Sequence, residues 1–195
     1  IAVAGVSGKG IPAAFFMRIA RPLLKAIALK GAGPGRTLAR LNDFLCGDNE
    51  ETMFVTLFYG ELDSRSGRFV YANGGHNHPF LATGEAAVPA LPSTGGMALA
   101  VFEQVGFAER EVTLGTGHTL VLYTDGVTEA FDNRGEMFGD ARLAALLGSD
   151  ADDTAPDLLA AILASLERFT AGAPQSDDIT VIVIAGRPEA ESRAA

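Results

Sequence analysis

Residues 119–126 read TLVLYTDG, a run of apolar and β-branched residues that ends at an Asp-Gly pair. A short apolar run closed by turn residues is typical of a buried β-strand. Stretches of the same type occur along most of the chain and are joined by turns such as DSRSG (63–67). Further strands are predicted at residues 1–6, 52–63, 68–75, 78–83, 106–114 and 177–185.

Helical spacing of apolar residues marks the segments before and after this strand-rich region. Helices are predicted at residues 13–30, 37–46, 140–147 and 153–171. Pro22 lies inside the first helix and is expected to kink or split it, and GAGPG (31–35) is expected to form a turn before the second. Two helices, a mostly antiparallel meander, two helices and a final strand indicate an α+β layered domain.

The composition sets the broad class of protein. The chain has 195 residues, of which 48% are hydrophobic and 20% charged, enough for one domain with a full core. A net charge of −9 argues against a nucleic-acid surface and against binding to anionic membranes. The single cysteine, Cys46, excludes an internal disulfide and suits a reducing compartment, so a cytoplasmic location is expected.

Acidic residues stand at the ends of two predicted strands. Asp125 follows LVLYT, and Asp177 and Asp178 precede ITVIVI. Carboxylates held on rigid strand ends are the oxygen ligands that Mg²⁺ and Mn²⁺ prefer. Asp-Gly and Asp-Asp are also common turn residues, so the spacing alone leaves both interpretations open.

The loop VAGVSGKG (3–10) has the composition of a phosphate-binding loop but not its spacing. A P-loop needs four residues between its glycines and a hydroxyl after the lysine, whereas Val6 and Ser7 alone separate Gly5 from Gly8. Lys9 could attract a substrate phosphate, although loop lysines are usually solvated. Ser7 is better interpreted as a turn or helix-capping hydroxyl than as a nucleophile.

Six motifs in order carry a resemblance to a known family: VSGKGIPAAFFM (6–17), MFVTLFYGELDSRSG (53–67), YANGGHNHPF (71–80), LVLYTDGVTEAFD (120–132), GEMFGDARL (135–143) and QSDDITVIVI (175–184). Together they resemble the bacterial branch of the type-2C (PPM) metal-dependent serine/threonine protein phosphatases. This branch includes the sporulation phosphatase and regulators of the general-stress sigma factor. The resemblance covers residues 1–186 as one phosphatase domain and leaves residues 187–195 as a polar tail.

The resemblance implies a fold and a metal centre. The fold would be a four-layer αββα sandwich, with two antiparallel sheets flanked by helix pairs. Two Mn²⁺ or Mg²⁺ ions would activate a water that attacks the phosphorus of phosphoserine or phosphothreonine. By similarity, Asp125 and Asp177 are metal ligands, Asp178 helps through water, and the backbone carbonyl of Val6 is a neutral ligand.

The chain departs from the family pattern at Gly5, where the family carries the aspartate that bridges both metals. Glycine has no ligand atom, so metal binding and hydrolysis are expected to weaken. A deliberate substitution, a natural loss of activity and an incomplete chain each explain Gly5, and the sequence does not rank them. Because the chain starts at Ile1 inside a predicted strand, N-terminal strands of the family are expected to be missing.

Two functions follow from the resemblance. The first is a phosphatase that acts on a phosphorylated regulatory protein, such as an anti-sigma-factor antagonist. The parent chain would then carry a sensor or receiver domain upstream of the phosphatase domain. The second is a catalytically impaired pseudophosphatase that keeps the fold and the partner surface. His76 could donate a proton to the leaving oxygen, but a turn histidine whose ring bonds to backbone is the favoured interpretation.

Overall fold

The computed structural model describes residues 1–47, 53–148 and 154–186. Its elements in chain order are β1 (Ala2–Val6), α1 (Ile11–Ala28), α2 (Pro34–Gly47), β2 (Val55–Leu62), β3 (Arg68–Gly74), β4 (Phe80–Ala82), β5 (Arg110–Thr113), β6 (Thr119–Tyr123), α3 (Asp125–Thr128), α4 (Gly139–Leu147), α5 (Ala155–Thr170) and β7 (Val181–Ala185). The chain divides into two compact units. Unit 1 holds residues 1–63, 68–78 and 92–112, and unit 2 holds residues 64–67, 79–91 and those from 113 onward.

Unit 1 contains a four-stranded sheet with a helix pair. The strand order is β1-β2-β3-β5, and β1 and β3 each pair antiparallel with β2. Helix α2 buries Leu38, Leu41 and Leu45 at helical spacing, and these side chains pack in one cluster with β2 residues such as Val55 and Leu57. This i, i+3, i+7 stripe gives α2 the apolar face that its sequence pattern predicts.

Unit 2 repeats the plan with a three-stranded sheet. The order is β4-β6-β7, and both pairs are antiparallel. Leu143 of α4 and Ile162 of α5 are fully buried in one cluster with Val121 of β6. The Thr154 side chain caps α5 by accepting a hydrogen bond from the Asp157 backbone N–H, as N-terminal threonines commonly do.

The α+β class with two antiparallel sheets and helix pairs is confirmed, and the differences are local. Helix α2 begins at Pro34, because proline suits the first turn of a helix. The predicted turn at 31–35 is therefore wrong for residues 34 and 35. Helix α1 continues through Pro22, so the predicted split is wrong. Pro22 is exposed, and the carbonyl left without its N–H partner can bond to water there.

The predicted strand at 119–126 ends earlier than expected. β6 stops at Tyr123 and a four-residue helix, α3, begins at Asp125. The predicted polar tail, residues 187–195, lies outside the described residues. Across the described ranges, no helix is long and apolar enough to cross a bilayer.

Candidate metal centre

Asp125 is positioned by the change from strand to helix. Thr124 keeps an extended backbone (φ −91°, ψ 160°), and Asp125 opens α3. The Asp125 carboxylate is exposed, and its Oδ1 accepts a hydrogen bond from the Gly126 N–H at 3.0 Å. Since a carboxylate has two oxygens, this bond orients the group while leaving coordination capacity for a cation.

Asp177 and Asp178 lie in the loop that leads into β7, and Thr124 ties this loop to β6. The buried Thr124 hydroxyl donates to the Asp178 carbonyl at 2.9 Å and accepts from the Thr180 N–H at 2.9 Å. The Thr124 backbone N–H also donates to the Thr180 carbonyl at 3.1 Å. One threonine therefore fixes the backbone of the loop that carries both aspartates.

Gly126 brings the two acidic segments into direct contact. A Cβ atom at position 126 would lie 2.4 Å from the Asp178 carbonyl oxygen and 3.2 Å from that of Asp177. Only a glycine permits this approach, because neighbouring backbone atoms cannot move aside easily. The structure thus places Asp125 beside the Asp177–Asp178 loop, as the sequence predicts.

Sequence reasoning missed the roles of Thr124 and Gly126. Both are visible in the motif YTDG, where they flank Asp125, but the sequence pattern indicates Gly126 only as a turn residue. The available signal is a glycine at the end of a strand motif, which often marks a close approach of another backbone.

The donor set of unit 2 suits one hard divalent cation. Asp177 Oδ1 accepts from the Asp178 N–H at 2.7 Å, and the Asp177 backbone carbonyl accepts from Gln175 Nε2 at 2.7 Å. Two exposed carboxylates beside water match how Mg²⁺ is usually held, with one or two carboxylates and several waters. In the part of the chain that the structure describes, no group of three or more His, Cys, Asp or Glu side chains could hold a metal ion.

Gly5 and Val6 lie in unit 1, on β1. Gly5 pairs with Thr56 and Val6 with Val55. A Cβ at position 5 would meet the Thr56 hydroxyl oxygen at 3.2 Å and no other atom beyond the adjacent residues within 4 Å. A side-chain Cβ is therefore accommodated at position 5 once the Thr56 side chain moves by a few tenths of an ångström. The backbone does not require glycine there.

The glycine loop after β1 is held to the strand next to it. Ser7 accepts a hydrogen bond at its hydroxyl from the Phe54 N–H and donates its own N–H to the Phe54 carbonyl, each at 2.9 Å. Ser7 is therefore a turn hydroxyl, as expected. Lys9 is exposed just before α1.

His76 lies in a turn, and its ring contacts a side chain of β2. Its ring Nδ1 lies 3.0 Å from the Thr56 hydroxyl and shares a hydrogen bond with it. Its backbone N–H donates to Asn73 Oδ1 at 2.8 Å, and Asn73 Nδ2 donates to the His76 carbonyl at 2.8 Å. The turn itself is therefore built by Asn73, which frees the buried ring to bond to Thr56.

Comparison with curated proteins points to one family. Residues 1–187 match the sequence model of the family described as stage II sporulation protein E (SpoIIE). Phosphoserine phosphatase RsbU of Bacillus subtilis is 30% identical over 69% of this chain and 40% of its own length. Protein IcfG of Synechocystis is 29% identical over 94% of this chain and 33% of its own length. The chain thus spans less than half the length of these relatives.

Comparison with solved structures agrees. The SiaA PP2C domain of Pseudomonas aeruginosa superposes with a TM-score of 0.77 and 25% identity, covering 94% of this chain and 73% of that domain. Likeness at this level over nearly the whole chain, together with the match of the family model, identifies the fold and the family. The chain belongs to the SpoIIE family of PP2C-type phosphatase domains.

Proposed function

We propose that this chain is the catalytic domain of a metal-dependent protein serine/threonine phosphatase that hydrolyses phosphoserine or phosphothreonine on a regulatory protein. The observation that carries the proposal is the contact of Gly126 with the Asp178 carbonyl. This contact supports a position of Asp125 near Asp177 at the edge of one sheet. Two carboxylates from distant parts of the chain then serve one cation.

The chain's own residues supply binding and orientation in this proposal. Asp125 and Asp177 would hold the cation through their carboxylates, and Asp178 would act more weakly through water. The role of the Val6 carbonyl as a neutral ligand stays a prediction of the family resemblance. Lys9 is a weaker candidate for the substrate phosphate. When bound, Mn²⁺ or Mg²⁺ supplies a water of lowered pKa and neutralises charge on the phosphoryl oxygens.

The proposed cofactor is Mn²⁺ or Mg²⁺. Solved neighbours with this fold include RsbX in complex with magnesium and the SpoIIE phosphatase domain after presoaking with Mn. The intact family site takes two ions, whereas the carboxylates of unit 2 suit one. A second ion is expected to bind weakly, because position 5 contributes no negative charge.

The proposed substrate is a phosphorylated partner protein, with an anti-sigma-factor antagonist as the leading candidate. The relatives RsbU and RsbP of Bacillus subtilis are both named phosphoserine phosphatases. We extend the proposal to a cytoplasmic setting and to a sensor or receiver domain upstream in the parent chain.

A second candidate function is supported by Gly5. Without a carboxylate at that position, the fold and partner surface would persist while hydrolysis would not, which describes a pseudophosphatase that binds its partner.

Gly5→Asp separates the two functions, and Gly5→Ala is its matched control. Both variants place a Cβ at the same 3.2 Å from the Thr56 hydroxyl, but only aspartate adds a ligand. We expect Gly5→Asp to bind Mn²⁺ more tightly by calorimetry and to hydrolyse p-nitrophenyl phosphate with Mn²⁺, while Gly5→Ala does neither. Tight Mn²⁺ binding without turnover would favour the pseudophosphatase.

A further inference from the structure

A groove lies in unit 2 beside the candidate metal centre. It has a volume of about 250 Å³, smaller than the roughly 300–1,000 Å³ of small-molecule sites. One wall is a face of α5 formed by Leu163, Leu166, Glu167 and Thr170, which share that face because helical residues three, four and seven apart are neighbours. Such a volume suits a single side chain of a protein partner better than a cofactor.

The other wall consists of the segments that carry the aspartates. Gly126 and Ser176 both line the groove, and they adjoin Asp125 and Asp177 in the sequence. The Ser176 hydroxyl donates to the Glu129 carbonyl at 3.2 Å, which links the loop to the end of α3. The groove therefore adjoins the two segments that carry the acidic pair.

The lining combines apolar surface with one negative charge. Phe131 and Leu163 are 40% and 46% exposed at the groove, although both are large apolar residues. Glu167 is the one charged side chain among the described lining residues. Asp125 and Asp177 are exposed at the near end. A complementary ligand would place an apolar side chain in the groove and a positive charge beside Glu167.

We propose that this groove binds an apolar side chain of the phosphoprotein substrate, close in sequence to its phosphorylated residue and next to a lysine or arginine that faces Glu167. This inference rests on the proposed phosphatase function. It assigns the groove a role in selecting which phosphorylated residues reach the acidic pair.

The test measures peptide selection without requiring turnover. Pools of short peptides share a central phosphoserine, and each pool fixes one flanking residue. Binding to the 195-residue chain is followed by fluorescence polarisation with Mn²⁺ present. At one flanking position we expect leucine or phenylalanine to be preferred over glycine by roughly tenfold, with lysine or arginine preferred next to it.

Two variants assign that selection to the groove. Leu163→Ser should abolish the apolar preference, and Glu167→Lys should turn the basic preference into an acidic one. Both residues are exposed, so neither change disturbs the core. The matched controls are Leu29→Ser, at the exposed leucine that directly follows α1, and Glu85→Lys, at an exposed glutamate of unit 2 outside the groove. Neither control should alter the selection.

Each remaining result supports or overturns the proposal. Uniform binding of all pools, or a selection that survives Leu163→Ser and Glu167→Lys, overturns it. A dimer in sedimentation that Leu163→Ser dissociates would make the groove a self-association surface and also overturn it. If Gly5→Asp hydrolyses p-nitrophenyl phosphate but no selection is found, the groove assignment alone is wrong. If selection is found and Gly5→Asp is inactive, the groove assignment stands and the catalytic proposal fails.

Discussion

The Thr124 hydroxyl and the Asp178 backbone carbonyl lie 2.9 Å apart and form a hydrogen bond. The same hydroxyl accepts from the Thr180 N–H at 2.9 Å. A threonine that never reaches the cation can therefore set the position of a loop that does. Variants of Thr124 can therefore test how the loop is positioned separately from how its aspartates coordinate the cation.

Replacing Thr124 by valine keeps the shape but removes both hydrogen bonds. We expect a loss of roughly 1–3 kcal/mol in unfolding free energy, because the Asp178 carbonyl and the Thr180 N–H lose their partner. Mn²⁺ affinity should fall as well, since the Asp177–Asp178 loop is released. Thr124→Ser retains the hydroxyl and should restore most of both properties. Equal Mn²⁺ affinity in Thr124→Val and the unchanged chain, measured by calorimetry, contradicts the positioning role.

Gly126→Ala tests the contact between the acidic segments. The added Cβ would meet the Asp178 carbonyl oxygen at 2.4 Å, and overpacking against backbone costs about 1–3 kcal/mol. We expect a lower Tm in thermal unfolding and weaker Mn²⁺ binding. Gly106→Ala is the control, because a Cβ there meets nothing within 4 Å. A Tm loss of the same size in both variants would show that the contact is not responsible.

The sequence predicted the convergence of Asp125 and Asp177 because apolar strands with acidic ends are strong local signals. β6 and β7 pair so that Tyr123 faces Val181, and antiparallel neighbours necessarily bring the end of one strand beside the start of the other. The resemblance to a known family then identified the chemistry. Periodicity alone left a turn and a metal site equally open.

Some differences from the sequence analysis arise where the surroundings of a residue outweigh its local preference. Pro22 does not split α1, since its position is exposed and water can replace the missing partner. The ring of His76 bonds to Thr56 from a neighbouring strand, a contact that no window of sequence contains. The strand predicted to reach Gly126 yields to α3, because the Asp178 carbonyl lies against that glycine.

Asn42 is predicted to stabilise an unusual loop in unit 1. Its buried amide donates to the Phe102 carbonyl at 2.8 Å and accepts from the Ala100 N–H at 3.0 Å. Ala100 has φ 68° and Gln104 φ 58°, a left-handed backbone that non-glycine residues seldom adopt. Asn42→Ala should therefore lower the unfolding free energy by about 1–3 kcal/mol in urea denaturation. Arg40→Ala, at an exposed position of the same helix, should change it by less than about 0.5 kcal/mol.

The three tyrosines provide a prediction for alkaline pH. Burial, and then the hydrogen bond to Glu61, raises the pKa of Tyr59 to about 12. Burial also raises the pKa of Tyr71, and burial followed by the bond to Asp140 raises the pKa of Tyr123 well above its usual range. Because each folded pKa exceeds the unfolded one, the stability these groups contribute is complete below about pH 10 and is lost as pH rises beyond it.

Absorbance at alkaline pH measures this ionisation directly, since the chain contains no tryptophan. We expect each tyrosine to ionise at a higher pH than in the unfolded chain while the circular dichroism remains native. One step should appear near pH 12, and Tyr59→Phe should remove it. The unfolded chain in urea, where all three phenols are exposed, is the reference and should titrate near pH 10. A native-state step near pH 10 would mean that the phenols are open to water, and the burial argument for Tyr59 and Tyr123 would then be wrong.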